Sequence, residues 1–248
     1  MNTETLEKMS RMKLTGMARA FRTSLESGKM NDLTADEMTD FLITSEWDER
    51  YNRKLNRTLQ MARFRYKASV EQLHFENNRL DKNIVLRLAE CNFINRNENL
   101  LITGSTGIGK SYLASALGHQ ACSLGYKVMY QNSTKLFAKL KMAKADGSYI
   151  KEMSKIEKQD LLIIDDFGLQ PLDAPNRSTL MEIIEDRHGK ASTIFTSQVP
   201  INKWYEIIGE QTIADAILDR IVHDAHRIEL KGESLRKKRD LKIEEEIN

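Results

Sequence analysis

The sequence predicts an α/β domain built on a parallel sheet, preceded by an all-helical N-terminal domain. Three observations predict it. After about residue 95, short apolar stretches alternate with segments of roughly 20–30 residues that carry helical periodicity. The first ninety residues contain no proline and only two glycines, Gly16 and Gly28. Between the first apolar stretch and the helical pattern that follows it lies Gly104-Ser-Thr-Gly-Ile-Gly109-Lys110-Ser111, a complete G-x-x-x-x-G-K-S phosphate-loop motif.

Residues 1–68 read as helical, with a break near Gly28–Leu33. Thr34-Ala-Asp-Glu37 fits a capping box, in which each side chain satisfies a free backbone N–H of the other. Met38, Phe41, Leu42 and Ser45 follow at the three- and four-residue spacing of an amphipathic helix. Charge is uneven along this region. Residues 1–49 hold 10 acids and 6 bases, whereas Arg50 to Lys67 hold 7 bases (Arg50, Arg53, Lys54, Arg57, Arg63, Arg65 and Lys67) and no acid. The bases at 50, 53, 54 and 57 share one helical face, and those at 63, 65 and 67 widen it. Two readings of this run stand side by side. It can track the phosphates of a DNA duplex, with little sequence specificity because no base-reading arrangement accompanies it. Alternatively, it is a solvated face that pairs with the acidic residues 32–49 of the same or a neighbouring subunit.

Residues 69–95 form a connector with one helix around Lys82–Cys91, and residues 96–248 form the α/β domain. Its strands are Asn99–Thr103, Lys127–Gln131, Leu161–Asp165, Thr193–Ser197 and Arg227–Leu230, a five-stranded parallel sheet with right-handed crossovers. The basic residues Lys135, Lys139, Lys141 and Lys144 follow the second strand, and either a DNA contact or a solvated face accounts for them. Trp204 and Tyr205 read as core. Net charge is close to neutral, with 38 Lys+Arg against 36 Asp+Glu. The N-terminus lacks the apolar stretch of a secretory signal and the longest aliphatic run is Leu161–Ile164, so the expectation is a cytoplasmic protein with no membrane partner. Cys91 and Cys122 have neither a metal spacing nor a disulfide framework, and the histidines, His119 included, show no ligand spacing.

The phosphate loop sets the chemistry. Its glycines let backbone N–H groups turn inward around phosphates, and the helix N-terminus behind it adds positive potential. Gly104, Ser105, Thr106, Gly107, Ile108, Gly109, Lys110, Ser111 and Tyr112 are the candidate nucleotide-binding residues. Lys110 reaches the outer phosphates, and the Ser111 hydroxyl is a hard oxygen ligand for Mg²⁺. Leu161-Leu-Ile-Ile-Asp165-Asp166 ends a buried strand with two carboxylates at the crevice where such sheets bind ligands. Asp165 would hold Mg²⁺, and Asp166 would orient or deprotonate the attacking water. ATP and Mg²⁺ are the expected cofactors. The strand near Val128 points to P-loop ATPases that keep a separate strand between the two motifs.

Gly104–Gly118, Leu161–Gly168, Phe195-Thr-Ser-Gln198, Leu218-Asp-Arg220 and Gly232-Glu-Ser-Leu-Arg236 occur in the order seen in IstB-like AAA+ ATPases. These are transposition helpers of bacterial insertion sequences, related to the DnaC helicase loader. Met12-Lys-Leu-Thr-Gly-Met-Ala18 and the helix through Glu46, Arg50 and Ala62 also resemble the helper's leading domain, so the likeness spans nearly the whole chain. It implies a sensor-1 role for Thr196, with Ser197 as the neighbouring candidate. It implies an arginine finger at Arg220, acting on the ATP of a neighbouring subunit, and a sensor-2 role at Arg236. It implies ATP-dependent self-association, a cognate transposase as partner, target selection on duplex DNA and stimulation of that transposase. Only about 18 residues follow the last strand, so no C-terminal lid domain is expected, as in the helper and loader subgroup. Asp166 is one methylene shorter than the glutamate common in the superfamily, which implies slow hydrolysis or hydrolysis stimulated by DNA or a partner. The rival expectations are a helicase loader that prefers single-stranded DNA and a nucleotide-gated DNA scaffold with negligible turnover.

Overall fold

The computed structural model describes residues 2–28, 32–73, 75, 80–232 and 234, and the chain divides into two compact units, Met1–Arg57 and Thr58–Asn248. The division falls inside the third helix, ahead of the residue-68 boundary read from the sequence.

In the first unit α1 (Asn2–Arg11) and α2 (Thr15–Glu26) are joined by a turn at Met12–Leu14, where Lys13 takes a φ of 59°. The helical N-terminal expectation therefore needs a second break, besides the one before α3 (Ala35–Ala62). Leu14 gives α2 no side-chain cap. Glu46 of α3 supplies it, accepting the Gly16 N–H at 2.8 Å and the Met17 N–H at 3.2 Å. The approach requires a glycine, since a Cβ on Gly16 would lie 2.3 Å from the Ser45 carbonyl oxygen. Burial would raise the Glu46 carboxyl, but Arg50 and the two N–H groups hold it below the usual range. The capping box at the start of α3 is present: Thr34 N–H donates to Glu37 at 2.8 Å, and Glu37 N–H to Thr34 Oγ1 at 3.3 Å.

The second unit opens with a 3₁₀ turn at Val70–Gln72, α4 (Lys82–Ala89), capped by Asp81, and the short α5 (Asn92–Asn95). The strands are β1 (Asn99–Gly104), β2 (Val128–Asn132), β3 (Leu161–Phe167), β4 (Ser192–Ser197) and β5 (Ala225–Leu230), all parallel, in the order β2-β3-β4-β1-β5. Each expected strand is present within two residues of its bounds. Its place in the sheet required one correction. The strand that separates β1 from β3 is β4, while the Val128 strand, β2, lies at the edge beyond β3. Order in the sequence does not dictate order in a sheet whose connections are crossovers.

The helices between the strands are α6 (Lys110–Ser123), α7 (Ser133–Asp146), α8 (Tyr149–Glu157), α9 (Ala174–Arg187), α10 (Trp204–Ile208) and α11 (Gln211–Val222). Leu101, Leu162, Ile164 and Phe195 face the cluster formed by α7 to α11, and Ile163 faces α6 on the opposite side. Trp204 is fully buried in that cluster, against Phe167 and Phe195, and its indole N–H donates to the Val199 carbonyl at 2.9 Å. It is a core residue, as expected. The Arg187 guanidinium, also buried, donates to the carbonyls of Ile156, Gln159 and Ser192, tying α8 and α9 to β4. Parallel strands covered on both faces put every strand's C-terminal end at one edge, where the two motifs meet. The described residues run only to 234, so Arg236 and the expected absence of a lid lie outside them. No helix among the described residues is long and apolar enough to cross a membrane.

Candidate nucleotide site

β1 runs directly into the phosphate loop and the loop into α6. Gly104 closes the strand at φ 147°, where a Cβ would lie 2.5 Å from the Leu230 carbonyl oxygen of β5. Gly109 precedes α6 at φ 108° and offers no side-chain cap. The N–H groups of the first turn of α6 therefore face outward with the helix dipole behind them, the arrangement that receives an anion. Lys110 is buried, and its ammonium donates to the carbonyls of Gly104 at 2.7 Å and Ser105 at 2.8 Å. Burial lowers its pKa, and the charges of Asp166 and Asp165 oppose that shift.

Asp165 and Asp166 lie in the C-terminal part of β3, which runs on through Phe167. Asp165 is fully buried. Its Oδ1 accepts the Ser111 hydroxyl at 2.7 Å and the Thr196 hydroxyl, and its Oδ2 accepts the Tyr130 hydroxyl and, at 3.3 Å, Arg65 Nη1. Asp166 takes a φ of 58°, which turns its carboxylate toward Arg65 Nη1 at 3.0 Å and Asn132 Nδ2 at 3.2 Å. Its N–H donates to Thr196 Oγ1 at 3.0 Å. Thr196 thus touches both carboxylate residues. Ser197 turns the other way, donating to the Phe167 carbonyl at 2.7 Å.

A cleft of about 270 Å³ opens here, lined by Arg65, Tyr66, Thr106, Gly107, Gly109, Lys110, Ser111, Tyr112, Asp166 and Gln198. Thr106 and Gln198 hydrogen-bond across it. The described residues hold no group of three or more His, Cys, Asp or Glu side chains suited to a metal. A divalent cation at Ser111 and Asp165 would meet hard oxygen donors from the protein and would need phosphate or water oxygens to complete its shell. That donor set fits Mg²⁺.

Tyr130, Asn132 and Arg65 were not read from the sequence as residues of this site, nor were Tyr66 and Gln198 of the cleft wall. Tyr130 and Asn132 alternate along β2 and end at the carboxylates; their i, i+2 spacing on a strand that precedes β3 was the available signal. Arg65 was read as part of the basic helical face. α3 ends at Ala62, Arg63 takes a φ of 58°, and residues 63–68 leave the helix, so the bases at 63, 65 and 67 do not widen that face. The reason is packing. Phe64 folds onto α6, with its ring 4.7 Å from that of His119 and 6.2 Å from that of Tyr130, and Arg65 follows it to the carboxylates.

The remaining candidates lie elsewhere. Arg220, in the last turn of α11, does not line the cleft; its guanidinium bonds the Ala216 carbonyl at 2.8 Å and faces Glu185 of α9 at 3.7 Å. Arg50 pairs with Glu46 at 2.7 Å, and Arg53 lies 3.7 Å from Glu46 and 3.9 Å from Glu49. For these two, the intramolecular pairing weighed against DNA is present. Lys54, Arg57, Arg63 and Lys67 are exposed. Lys139 pairs with Glu152, and Lys144 bonds the Thr179 hydroxyl at 3.0 Å.

Known proteins resemble this chain over most of its length. The sequence profile of the family described as IstB-like ATP binding protein matches residues 7–243. The protein y4pL of Sinorhizobium fredii, named for an insertion sequence and for ATP binding, is 46% identical over 234 residues, covering 94% of this chain and 96% of its own. A protein of Pseudomonas aeruginosa, named for insertion sequence IS21 and for ATP binding, is 31% identical over 231 residues, covering 93% and 87%. The crystal structure of the DnaC helicase loader superposes with a TM-score of 0.56 at 20% identity, over 67% of this chain and 98% of that one, a likeness of fold.

Proposed function

This chain belongs to the IstB-like ATP-binding family, and from that premise we propose that it is a Mg²⁺-dependent ATPase that assembles on duplex DNA and assists the transposase of its insertion sequence. The observation that carries the reading is the convergence of Lys110, Ser111, Asp165, Asp166 and Thr196 at the mouth of the phosphate loop. ATP phosphates would lie along the N–H groups of Gly107 to Ser111, with Lys110 exchanging its carbonyl partners for the outer phosphates. Bound with ATP, Mg²⁺ would supply positive charge against the phosphates. Ser111 and Asp165 would hold it. Asp166 would accept a proton from the attacking water, or orient it, and Thr196 would fix both carboxylate residues against each other. Arg220 would act on the nucleotide of a neighbouring subunit, which requires self-association.

The exposed Lys54, Arg57, Arg63 and Lys67 support a duplex backbone contact of low sequence specificity, whereas Arg50, Arg53 and Arg65 already face carboxylates. The insertion-sequence relatives match over nearly the whole chain, and the loader likeness is one of fold, which favours the transposase helper over a loader.

The test is binding to matched single- and double-stranded DNA with ATP, with ADP and without nucleotide, at several salt concentrations. Salt-sensitive, ATP-dependent, sequence-tolerant preference for duplex is expected, and Lys110→Ala should abolish the nucleotide response. Preference for single strands would move the reading to a helicase loader.

A further inference from the structure

Asp165 carries four hydrogen-bond donors, two on each oxygen: Ser111 and Thr196 on Oδ1, Tyr130 and Arg65 on Oδ2. A carboxylate offers about four lone-pair sites, so its acceptor capacity is full. Three of these donors are tied to the core. Thr196 is fully buried on β4, Tyr130 is buried on β2, and Ser111 is fixed in the first turn of α6. Arg65 differs from them. Its side chain is 42% exposed, on a long flexible stem, and besides Asp165 it meets Asp166, the second carboxylate of the site, and the Tyr66 ring, whose centroid lies 5.5 Å from the guanidinium carbon. The backbone that presents it is anchored on both sides. Phe64 packs against His119 with the rings tilted, Tyr66 lies 6.0 Å from the ring of Tyr112, and Gln72 accepts the Tyr112 hydroxyl at 3.1 Å.

A divalent cation held at Ser111 and Asp165, directly or through a water that donates to the carboxylate, needs an oxygen site that Arg65 fills. Asp166 needs one to receive a water as well. We propose that Arg65 is the resident counter-cation of the Asp165–Asp166 pair, competing with Mg²⁺ for it, and that it sets the Mg²⁺ concentration that nucleotide binding requires. Displaced from the carboxylates, the guanidinium stands in the cleft with Lys110 and Ser111, where its fork suits a phosphate oxygen pair. Arg65 thus trades carboxylate for phosphate when Mg²⁺ and nucleotide enter together. The inference rests on reading Ser111 and Asp165 as the Mg²⁺ ligands.

The test uses the full chain as wild type, Arg65→Ala and Arg65→Lys. Binding of a fluorescent ATP analogue is followed across a Mg²⁺ titration, and Mn²⁺ binding without nucleotide is followed by electron paramagnetic resonance. Arg65→Ala should lower the half-saturating Mg²⁺ by about tenfold, the order expected for one charge-assisted contact. It should also bind Mn²⁺ more tightly, with Arg65→Lys between the two. A purely structural role for Arg65 would change the melting temperature and leave the Mg²⁺ midpoint in place. An unchanged or higher midpoint in Arg65→Ala overturns the proposal. If the wild type binds no nucleotide, the ATPase reading fails separately and Mn²⁺ still decides: equal affinity in wild type and Arg65→Ala overturns the proposal, and tighter binding by Arg65→Ala supports it.

Discussion

The Phe64 ring occupies the space that a side chain at position 118 would need: a Cβ on Gly118 would lie 2.4 Å from Phe64 Cε1 and 2.8 Å from Ile163 Cδ1. A glycine in the middle of α6 costs helix stability of about 1 kcal/mol relative to alanine. Here it opens a notch for the segment that carries Arg65. Gly118→Ala should therefore destabilise the protein by roughly 1–2 kcal/mol, overpacking outweighing the gain in propensity. Thermal melting should fall by ~2–8 °C. Phe64→Leu in the same chain should restore part of the loss. A single mutant at least as stable as wild type would show that the notch constrains nothing.

Tyr130 supplies the pH dependence. Burial, then its hydrogen bond to Asp165, raises its phenol above the ordinary 10.0. A group whose pKa is raised by folding contributes stability that is complete below the unfolded value and fades as pH climbs from there toward the folded one. Stability should thus fall as pH rises above about 10, and Tyr130→Phe should flatten that alkaline limb. The same variant should lose ~1–3 kcal/mol at pH 7, because a bond to a buried carboxylate is removed. Urea denaturation at pH 7, 9, 10 and 11 reads both effects. Parallel alkaline limbs in the two proteins would remove Tyr130 as their source.

What could be read in the sequence followed locality. Five strands and the phosphate loop are set by patterns a few residues long, and each is present. The Arg65 contact with Asp166 spans 101 positions, and nothing near Arg65 announces it. The end of α3 was hidden for a related reason. No glycine or proline stops the helix; Arg63 takes the left-handed turn because Phe64 gains a packing site on α6. The sheet order was equally non-local, since the placement of β4 between β1 and β3 depends on crossovers rather than on spacing.

Thr196 and Ser197 were adjacent candidates that the sequence left in one register or the other. Their hydroxyls part company in the fold. Thr196 bridges Asp165 and the Asp166 N–H, whereas Ser197 joins the Phe167 carbonyl to the Val199 N–H. Thr196→Val should keep nucleotide binding and lower ATP turnover by at least about tenfold, by loosening both carboxylates at once. Ser197→Ala should mainly cost stability, on the order of 1 kcal/mol. Turnover and denaturation of the pair would separate the roles. A larger loss of turnover in Ser197→Ala would reverse the assignment.

Arg220 is the remaining test of how subunits cooperate. Among the described residues its guanidinium meets the Ala216 carbonyl and, at 3.7 Å, the exposed Glu185, contacts that a charged ligand could displace at little cost. It does not line its own subunit's cleft. An arginine that stabilises the transferring phosphoryl group from a neighbouring subunit is worth 10³–10⁵ in rate in the best cases, and a slow enzyme should show a smaller part of that. Arg220→Ala should therefore bind ATP as wild type does and lose roughly tenfold or more in turnover. Mixing it with Lys110→Ala distinguishes action in trans from action in cis. A Lys110→Ala subunit still carries Arg220, and an Arg220→Ala subunit still binds ATP, so mixed assemblies should recover activity that neither variant has alone. Turnover of Arg220→Ala equal to wild type at high protein concentration would exclude the role, and failure of the mixture to recover would confine the arginine to its own subunit.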